Sequence, residues 1–326
     1  MLQAKNKALV DKIQKERNCA RSSARVYASN LNRIHRDFLS NTTKDSNLRW
    51  VFDNSEKLLS KLKKIENINT QRNLIAAALV ALDMQNAKKK REPYIKQIGE
   101  INKQKEEIAK SGEMNEKQTA KFIQWKEILR LRRLLARTVR LGNFYKRKPS
   151  TREFTTMQQM IVLYLYTEVP PVRNDWSTVR YLTEKEYEDE PKASKQSNNF
   201  LVMARGGYRV YWADYKTKKK HGVLMNVLPK SLMTVLKRHI NYLRKHFDNN
   251  FLLLNVKGDQ MTRNGLTKFL QRLFFKHFRK RTSTSALRSI FLSHTFDKKV
   301  LEQQRTLAKA MMHTPDVARD FYVKNK

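Results

Sequence analysis

Apolar side chains recur at helical spacing through the first half of the chain, and this periodicity restricts that half to helices. One stripe consists of Tyr27, Leu31, Ile34 and Phe38, which are spaced by four, three and four residues. Residues at such spacing share one face of an α-helix and bury that face against a neighbour. Similar stripes over residues 51–65 and 74–82 predict two more helices, the second with Asn69 or Thr70 as its N-cap.

The connections in this half are indicated by charge, proline and glycine. Residues 88–93 are highly charged and end in Pro93, so we expect a loop there. Asn115 and Gln118 form a capping-box pattern ahead of a long helix that Gly142 can end. The basic segment 142–149 is typical of a linker. We therefore expect a helical DNA-binding domain over residues 1–148 and a second domain over residues 149–326.

The pattern changes after residue 149. A capping-box pattern at Ser150 and Glu153 precedes an apolar segment, residues 157–166, that predicts a buried helix. Two strands are predicted to form a hairpin around Gly206 and Gly207, and residues 223–227 predict a third strand. Helices are expected to follow from residues 231, 262, 284 and 299. The predicted fold is therefore mainly α with a small antiparallel β-sheet, in which the second domain is α+β.

The charge of the chain indicates its partner. Lys and Arg number 68 against 30 Asp and Glu, which leaves a formal charge of +38. Such an excess favours a polyanionic partner, and double-stranded DNA is the leading candidate. Residues expected to contact DNA are Arg21, Arg25, Arg33, Arg130, Arg133, Arg137, Lys218, Lys219 and Lys220. For any single one of them, a solvated charged face is the alternative.

Other features narrow the class of protein. The longest apolar run covers residues 160–166, which is too short for a spanning helix, so no membrane partner is expected. The single cysteine, Cys19, and an N-terminus without an apolar signal segment favour a reducing intracellular compartment, such as a host nucleus or cytoplasm. No histidine or cysteine has metal-ligand spacing, so neither a metal nor another cofactor is expected.

Five residues supply the groups needed to transfer a DNA phosphoryl group without a metal: Arg173, Lys216, Arg288, His313 and Tyr322. A tyrosine oxygen can attack phosphorus and form a covalent ester. Two arginines can bind the non-bridging oxygens, and a histidine can donate to the same phosphate. A lysine can protonate the departing 5′ oxygen, although Lys218, Lys219 and Lys220 compete with Lys216 for this role.

The order and spacing of these residues resemble the tyrosine recombinase family of DNA breaking and rejoining enzymes. The strongest segment is Met-Met-His-Thr-Pro-Asp-Val-Ala-Arg-Asp-Phe-Tyr at residues 311–322, in which His313 precedes Tyr322 by nine residues. The segment around Arg288 resembles the family's second-arginine motif, and Pro170-Pro171-Val172-Arg173 resembles its first-arginine turn. The helical half is similar to the family's core-binding domain, which encloses DNA together with the catalytic domain.

The resemblance implies a site-specific recombinase or integrase. Such an enzyme works as a homotetramer through 3′-phosphotyrosyl intermediates and needs neither metal nor ATP. A virus or a mobile element is the expected source of such an enzyme. Two positions depart from the family pattern. Ser285 stands where a histidine is usual and is expected to contact phosphate at most, and Trp176 stands where an acidic residue is usual, with Asp175 one position earlier. A type IB topoisomerase and a catalytically silent DNA-binding or architectural protein are the alternatives.

Overall fold

A computed structural model of the chain describes residues 2–43 and 47–312. The chain divides into two compact units, residues 1–113 and residues 114–326. This division falls before the boundary expected at residue 148. The reason is that the helix Trp125–Leu141 buries its apolar face, including Ile128 and Leu135, in the core of the second unit.

Among its described residues, the first unit contains helices and their connecting segments, without a strand. Its helices are α1 (Leu2–Arg17), α2 (Arg21–Phe38), α3 (Arg49–Asp53), α4 (Ser55–Lys63), α5 (Ile68–Met84) and α6 (Lys88–Ser111). The predicted stripe on α2 is confirmed, because Leu31 and Ile34 are fully buried. Helix α5 begins slightly earlier than expected, since the side chain of Asn67 caps it by accepting a hydrogen bond from the Thr70 amide at 3.0 Å.

The prediction of a loop at residues 88–93 is wrong, because these residues form the first turns of α6. Pro93 removes one backbone hydrogen bond near the start of that helix. Tertiary contacts offset this loss: the buried Tyr94 hydroxyl donates to the Ser55 carbonyl at 2.6 Å, and Lys90 donates to the Phe52 carbonyl at 2.9 Å. Packing thus overrides the local signal of charge and proline.

The second unit combines helices with one sheet. Its helices are α7 (Glu116–Thr119), α8 (Trp125–Leu141), α9 (Thr151–Thr167), α10 (Glu184–Asp189), α11 (Lys192–Ser197), α12 (Lys218–His221), α13 (Lys230–His246), α14 (Arg263–Phe278), α15 (Thr284–Thr295) and α16 (Lys298–Ala310), with a 3₁₀ helix at Asn174–Thr178. The capping box of Ser150 and Glu153 starts α9 as predicted. The box of Asn115 and Gln118 instead caps the short α7, and the long helix α8 begins after Gln124.

The sheet has four strands in the order in which they occur in the chain. They are β1 (Val179–Thr183), β2 (Asn199–Ala204), β3 (Gly207–Trp212) and β4 (Leu224–Val227). The predicted hairpin is confirmed as the antiparallel pair of β2 and β3, in which Leu201 lies opposite Val210. Gly207 has a φ of +136°, a conformation that favours glycine at this turn.

The fold class is confirmed as mainly helical with a small sheet, but the sheet is mixed rather than antiparallel. Strand β1 pairs in parallel with β2, with Val179 opposite Asn199. Parallel neighbours need a crossover connection, and α10 and α11 provide it. The sequence pattern indicates only a polar stretch in this region, although Thr183 and Glu186 form a capping box that starts α10.

The core of the second unit lies between α9, the sheet and helices α13 and α14. Trp176 is fully buried there, and its ring meets that of Trp212 edge to face, with the centroids 4.9 Å apart. Among the residues that the structure describes, no helix is both long and apolar enough to cross a membrane.

Candidate active site

The first-arginine turn is fixed from its backbone side. The hydroxyl of Tyr166, at the end of α9, donates to the Arg173 carbonyl at 2.5 Å, and Pro171 is buried. Burial, with a smaller contribution from Asp175, raises the pKa of Tyr166, so the hydroxyl stays protonated as a donor. The Arg173 side chain is left exposed at the start of the 3₁₀ helix.

Asn174 joins this turn to two other elements. Its Nδ2 donates to the Thr267 hydroxyl of α14 at 2.8 Å, and its Oδ1 accepts from the Thr284 hydroxyl at 2.8 Å. Thr284 is the first residue of α15, and Arg288 lies one turn further along that helix. The hydrogen bond from Thr284 therefore brings the segment of Arg173 to the beginning of the helix that carries Arg288.

The same helix also carries Ser285, directly after Thr284. Ser285 is exposed and Arg288 is half-buried, whereas Leu287 between them is fully buried in the core. Burial of Leu287 fixes the rotation of α15 about its axis, because neighbouring positions on a helix face different directions.

Arg263 connects the first-arginine turn to the segment that precedes the hairpin lysine. Its Nη2 lies 3.3 Å from the Asp175 carboxylate and 3.0 Å from the Asp214 carboxylate, and it donates to the Asp214 carbonyl at 2.9 Å. Lys216 is two residues beyond Asp214. We call Asn174, Asp175, Asp214, Arg263, Thr267 and Thr284 the polar network, because these contacts tie together the segments of Arg173, Lys216 and Arg288.

Asp175 gives this network its electrostatic character. Burial raises the pKa of the Asp175 carboxyl, and the positive charges of Arg263 and Arg173 oppose that rise. The carboxylate pairs with Arg263, and the charge of the nearby Arg173 also favours its ionised form. Trp176, the next residue, lies in the core, and Asp175 is the acidic residue of this turn.

A buried amide holds the Lys216 segment against the sheet. Asn199 Oδ1 accepts from the backbone amides of Ala213 and Asp214, at 2.9 and 2.8 Å. Its Nδ2 donates to the Thr178 hydroxyl at 2.9 Å and to the Asp214 carbonyl at 3.0 Å. Asn199 is fully buried at the first position of β2. It therefore links Thr178, at the end of the 3₁₀ helix, to the residues that follow β3.

The lysines beyond this point differ in their surroundings. Lys216, Lys219 and Lys220 are exposed, whereas Lys218 donates to the Gln196 carbonyl. The Tyr215 hydroxyl donates to the Gly222 carbonyl at 2.7 Å and closes the loop that contains all four lysines. Lys218 is thus the least free of the four candidates for a general acid.

His313 and Tyr322 lie outside the described residues, as do Thr314 and Pro315. The expected nucleophile and the histidine before it therefore stay predictions. Of the predicted site, the described residues are Arg173, Lys216, Ser285 and Arg288, and the polar network joins their segments.

The predicted DNA-binding arginines of the first unit lie on the surface of α2. Arg25 is exposed, Arg21 pairs with Asp11 at 2.7 Å, and Arg33 pairs with Asp37 at 3.2 Å. Exposed pairs of this kind contribute little to stability. Arg21 and Arg33 can therefore exchange their carboxylate partners for a phosphate at small cost. The role of all three arginines in DNA binding stays a prediction.

Three more predicted DNA contacts lie on α8 of the second unit. Arg130 pairs with Glu127 at 2.6 Å, whereas Arg133 and Arg137 line a cavity beside α9 and α13. Their predicted contact with DNA is also untested.

Sequence reasoning missed Arg263, Asn199 and Thr267 as residues of the site. Arg263 follows the N-cap Thr262 and has no motif around it, so no local pattern distinguishes it from the other basic residues. Within the described ranges, no group of three or more histidine, cysteine or acidic residues is arranged to hold a metal ion. The arginines, the lysine and the serine of the predicted site offer guanidinium, ammonium and hydroxyl donors, which are suited to bind a phosphate.

Comparison with known proteins adds little to this geometry. No family model matches the chain, and no curated protein matches it. Among solved structures, the crystal structure of XerA recombinase aligns over 100% of this chain and 95% of that chain, with 12% sequence identity and a TM-score of 0.32. A likeness at this TM-score is too weak to assign a function, so the function has to be inferred from the residues themselves.

Proposed function

We propose that this chain cleaves and rejoins DNA strands as a tyrosine recombinase. Arg173 and Arg288 bind the non-bridging oxygens of the scissile phosphate, and His313 donates a hydrogen bond to the same phosphate. Tyr322 loses its phenolic proton to water, and the phenolate oxygen attacks phosphorus. The bond to the 5′ oxygen breaks as Lys216 gives that oxygen a proton. The product is a 3′-phosphotyrosyl ester and a free 5′ hydroxyl.

One observation carries this proposal: the hydrogen bond from Thr284 to Asn174 ties the first-arginine turn to the second-arginine helix. The order of motifs in the sequence predicts these two segments as partners, and 110 residues separate the bonded pair. Two guanidinium groups on adjacent segments suit a phosphate whose charge increases during the reaction.

Rejoining follows by the reverse route. A 5′ hydroxyl attacks the phosphotyrosyl ester, its proton returns to Lys216, and the Tyr322 oxygen leaves. The ester conserves the energy of the original phosphodiester, so the cycle needs neither ATP nor a metal. We further propose that a homotetramer brings two duplexes together, and that the charge of +38 provides the affinity for their phosphates.

The test is capture of the covalent intermediate. The substrate is a pool of nicked duplexes with randomised sequence around the nick. After cleavage, the short fragment that carries the free 5′ hydroxyl diffuses away, so rejoining stops and the ester accumulates. We expect a protein–DNA adduct that survives denaturing electrophoresis, and mass spectrometry should locate the modification on Tyr322. The variant Tyr322→Phe should give no adduct, whereas Tyr208→Phe, a half-buried tyrosine of β3, should react as the wild type does.

The recovered DNA and the oligomeric state separate the alternatives. A shared sequence in the trapped duplexes, together with a tetramer on DNA, supports a recombinase. Trapping without sequence preference, together with relaxation of supercoiled plasmid by a monomer, would instead indicate a topoisomerase. Absence of any adduct at Tyr322 would overturn the proposal and leave a DNA-binding protein without catalysis.

A further inference from the structure

A concave site lies in the second unit, apart from the polar network. It is a cavity of about 770 Å³ between α8, α9 and α13 and the residues that follow α8. Five cationic side chains line it: Arg133, Arg137, Arg140, Lys146 and Arg238. We call this cavity the basic pocket. None of the residues that line it belongs to the polar network or to the predicted catalytic set.

The cations of the basic pocket differ from their neighbours on the same helix. Arg133, Arg137 and Arg140 share one face of α8, at spacings of four and three residues. In the part of the chain that the structure describes, none of the five cationic side chains makes an ion pair or a hydrogen bond, and no acidic residue lines the cavity. By contrast, Arg130 and Arg132 of α8 pair with Glu127 and Glu168.

Five like charges around one cavity repel each other, so their arrangement favours an anion between them. Arginine presents a rigid planar set of donors that matches phosphate oxygens in pairs. Four of the five cations are arginines, which points to a ligand with several phosphate groups rather than to a single small anion. The positions on α8, on the segment after it and on α13 surround the cavity from more than one side.

Apart from Asn143 and Thr234, the remainder of the lining is apolar or aromatic. It includes Met160 and Tyr164 of α9, Val235 of α13, and Tyr145. Tyr145 is held in place by the fully buried His239, whose Nδ1 lies 3.3 Å from its hydroxyl, and its ring meets that of Tyr242 edge to face. Burial raises the pKa of Tyr145, so this side chain is neutral at physiological pH. An apolar floor of this kind suits a flat, uncharged ring.

We infer that the basic pocket binds a nucleoside triphosphate. The volume lies within the range of small-molecule sites, which are mostly apolar with a few polar groups that fix orientation. A nucleoside triphosphate carries about four negative charges at neutral pH, close to the charge of the five cations. Its phosphates meet the arginines and its base packs against the tyrosines and the apolar floor. A DNA duplex exposes its phosphates on a convex surface and does not fill a cavity.

Binding is measured as the fluorescence anisotropy of N-methylanthraniloyl-ATP with the full chain, without added metal. We expect saturable binding of one nucleotide per chain, and displacement by unlabelled ATP. Arg137→Gln should weaken binding about tenfold, because it removes a charge-assisted hydrogen bond to phosphate. Ala136→Trp, which fills the cavity without changing charge, should weaken it as much. The matched control Arg130→Gln, on the same helix but paired with Glu127, should change affinity by less than about twofold.

Three results would overturn the inference. The first is absence of saturable nucleotide binding. The second is displacement by inorganic triphosphate as effective as displacement by ATP, since the pocket would then hold phosphate without a base. The third is displacement by a short DNA duplex whose own affinity falls equally in Arg137→Gln and Ala136→Trp, since the arginines would then be DNA contacts, as the sequence predicted. The adduct assay at Tyr322 is independent of all three.

Discussion

Thr284 donates a hydrogen bond of 2.8 Å to the side-chain oxygen of Asn174. The acceptor directly follows Arg173 in the chain, and the donor begins the helix that carries Arg288. Asn174 also donates to Thr267 on α14, so its amide is used on both sides. The relative position of the two arginine segments thus depends on a few neutral side chains that do not themselves contact substrate in the proposed reaction.

The variant Thr284→Val tests this dependence. Valine keeps the shape but removes the donor, and leaving the Asn174 oxygen without a partner costs about 1–3 kcal/mol. We expect adduct formation on the nicked substrate to fall about tenfold, because small displacements of positioning groups are costly in catalysis. The control is Thr295→Val, at the exposed other end of α15, where the hydroxyl only donates to the Phe291 carbonyl. Equal cleavage by both variants would contradict the positioning role.

Lys216→Ala tests the assignment of the general acid. We expect slow cleavage of ordinary DNA but normal cleavage of a substrate with a 5′-thio leaving group, because a thiolate leaves without a proton. Adduct yield on the two substrates is the measurement. Lys219→Ala and Lys220→Ala, both at exposed positions of the same loop, serve as controls. A rescue seen only in one of these controls would move the role to that lysine.

Asn199→Ala should both destabilise the second unit and loosen the segment before Lys216. The amide makes four hydrogen bonds in a fully buried position, and its loss leaves backbone groups of Ala213 and Asp214 without partners. We expect a loss of about 2–4 kcal/mol in the free energy of unfolding by urea. Asn198→Ala changes the preceding residue, whose side-chain amide donates to Ser194 of α11, and should cost much less. Equal losses in the two variants would contradict the structural role assigned to the Asn199 amide.

His239 predicts a pH dependence of stability. Burial lowers its pKa from 6.5 to about 4, so the unfolded chain takes up a proton at this residue before the folded one does. The stabilisation is present above pH 6.5 and is lost as the pH falls towards 4. Between pH 7 and pH 5 we expect the wild type to lose about 2 kcal/mol more than His239→Leu does. Parallel urea-unfolding curves for the two proteins, with the exposed His221→Gln matching the wild type, are the measurement. Identical pH slopes in wild type and His239→Leu would refute the prediction.

The net charge predicts that DNA affinity decreases steeply with salt. Each phosphate neutralised by lysine or arginine releases counterions, so the logarithm of affinity falls linearly with the logarithm of salt concentration. Titrations of a labelled duplex at several salt concentrations give the slope. The double variant Arg25→Gln and Arg33→Gln should make it shallower by about two if both residues contact phosphate. An unchanged slope would assign these side chains to a solvated face.

Much of the local structure could be predicted from the sequence. The stripe that includes Leu31 and Ile34 identified α2, and the capping box of Ser150 and Glu153 identified the start of α9. These signals are readable because the groups that satisfy a helix end or bury a helix face lie within a turn or two of each other. The prediction failed at residues 88–93, where contacts of Lys90 and Tyr94 with residues far along the chain outweigh charge and proline.

The sequence by itself therefore determined the helices with a clear apolar stripe, the hairpin, the excess of positive charge and the order of the candidate catalytic residues. Tertiary structure alone decided that Asn174 meets Thr284, that Arg263 lies between Asp175 and Asp214, and that five cations surround one cavity. The physical reason is the range of the interactions. Helix periodicity and capping act between near neighbours, whereas the choice of a partner about a hundred residues away depends on how the buried faces pack, and this leaves no pattern in the chain.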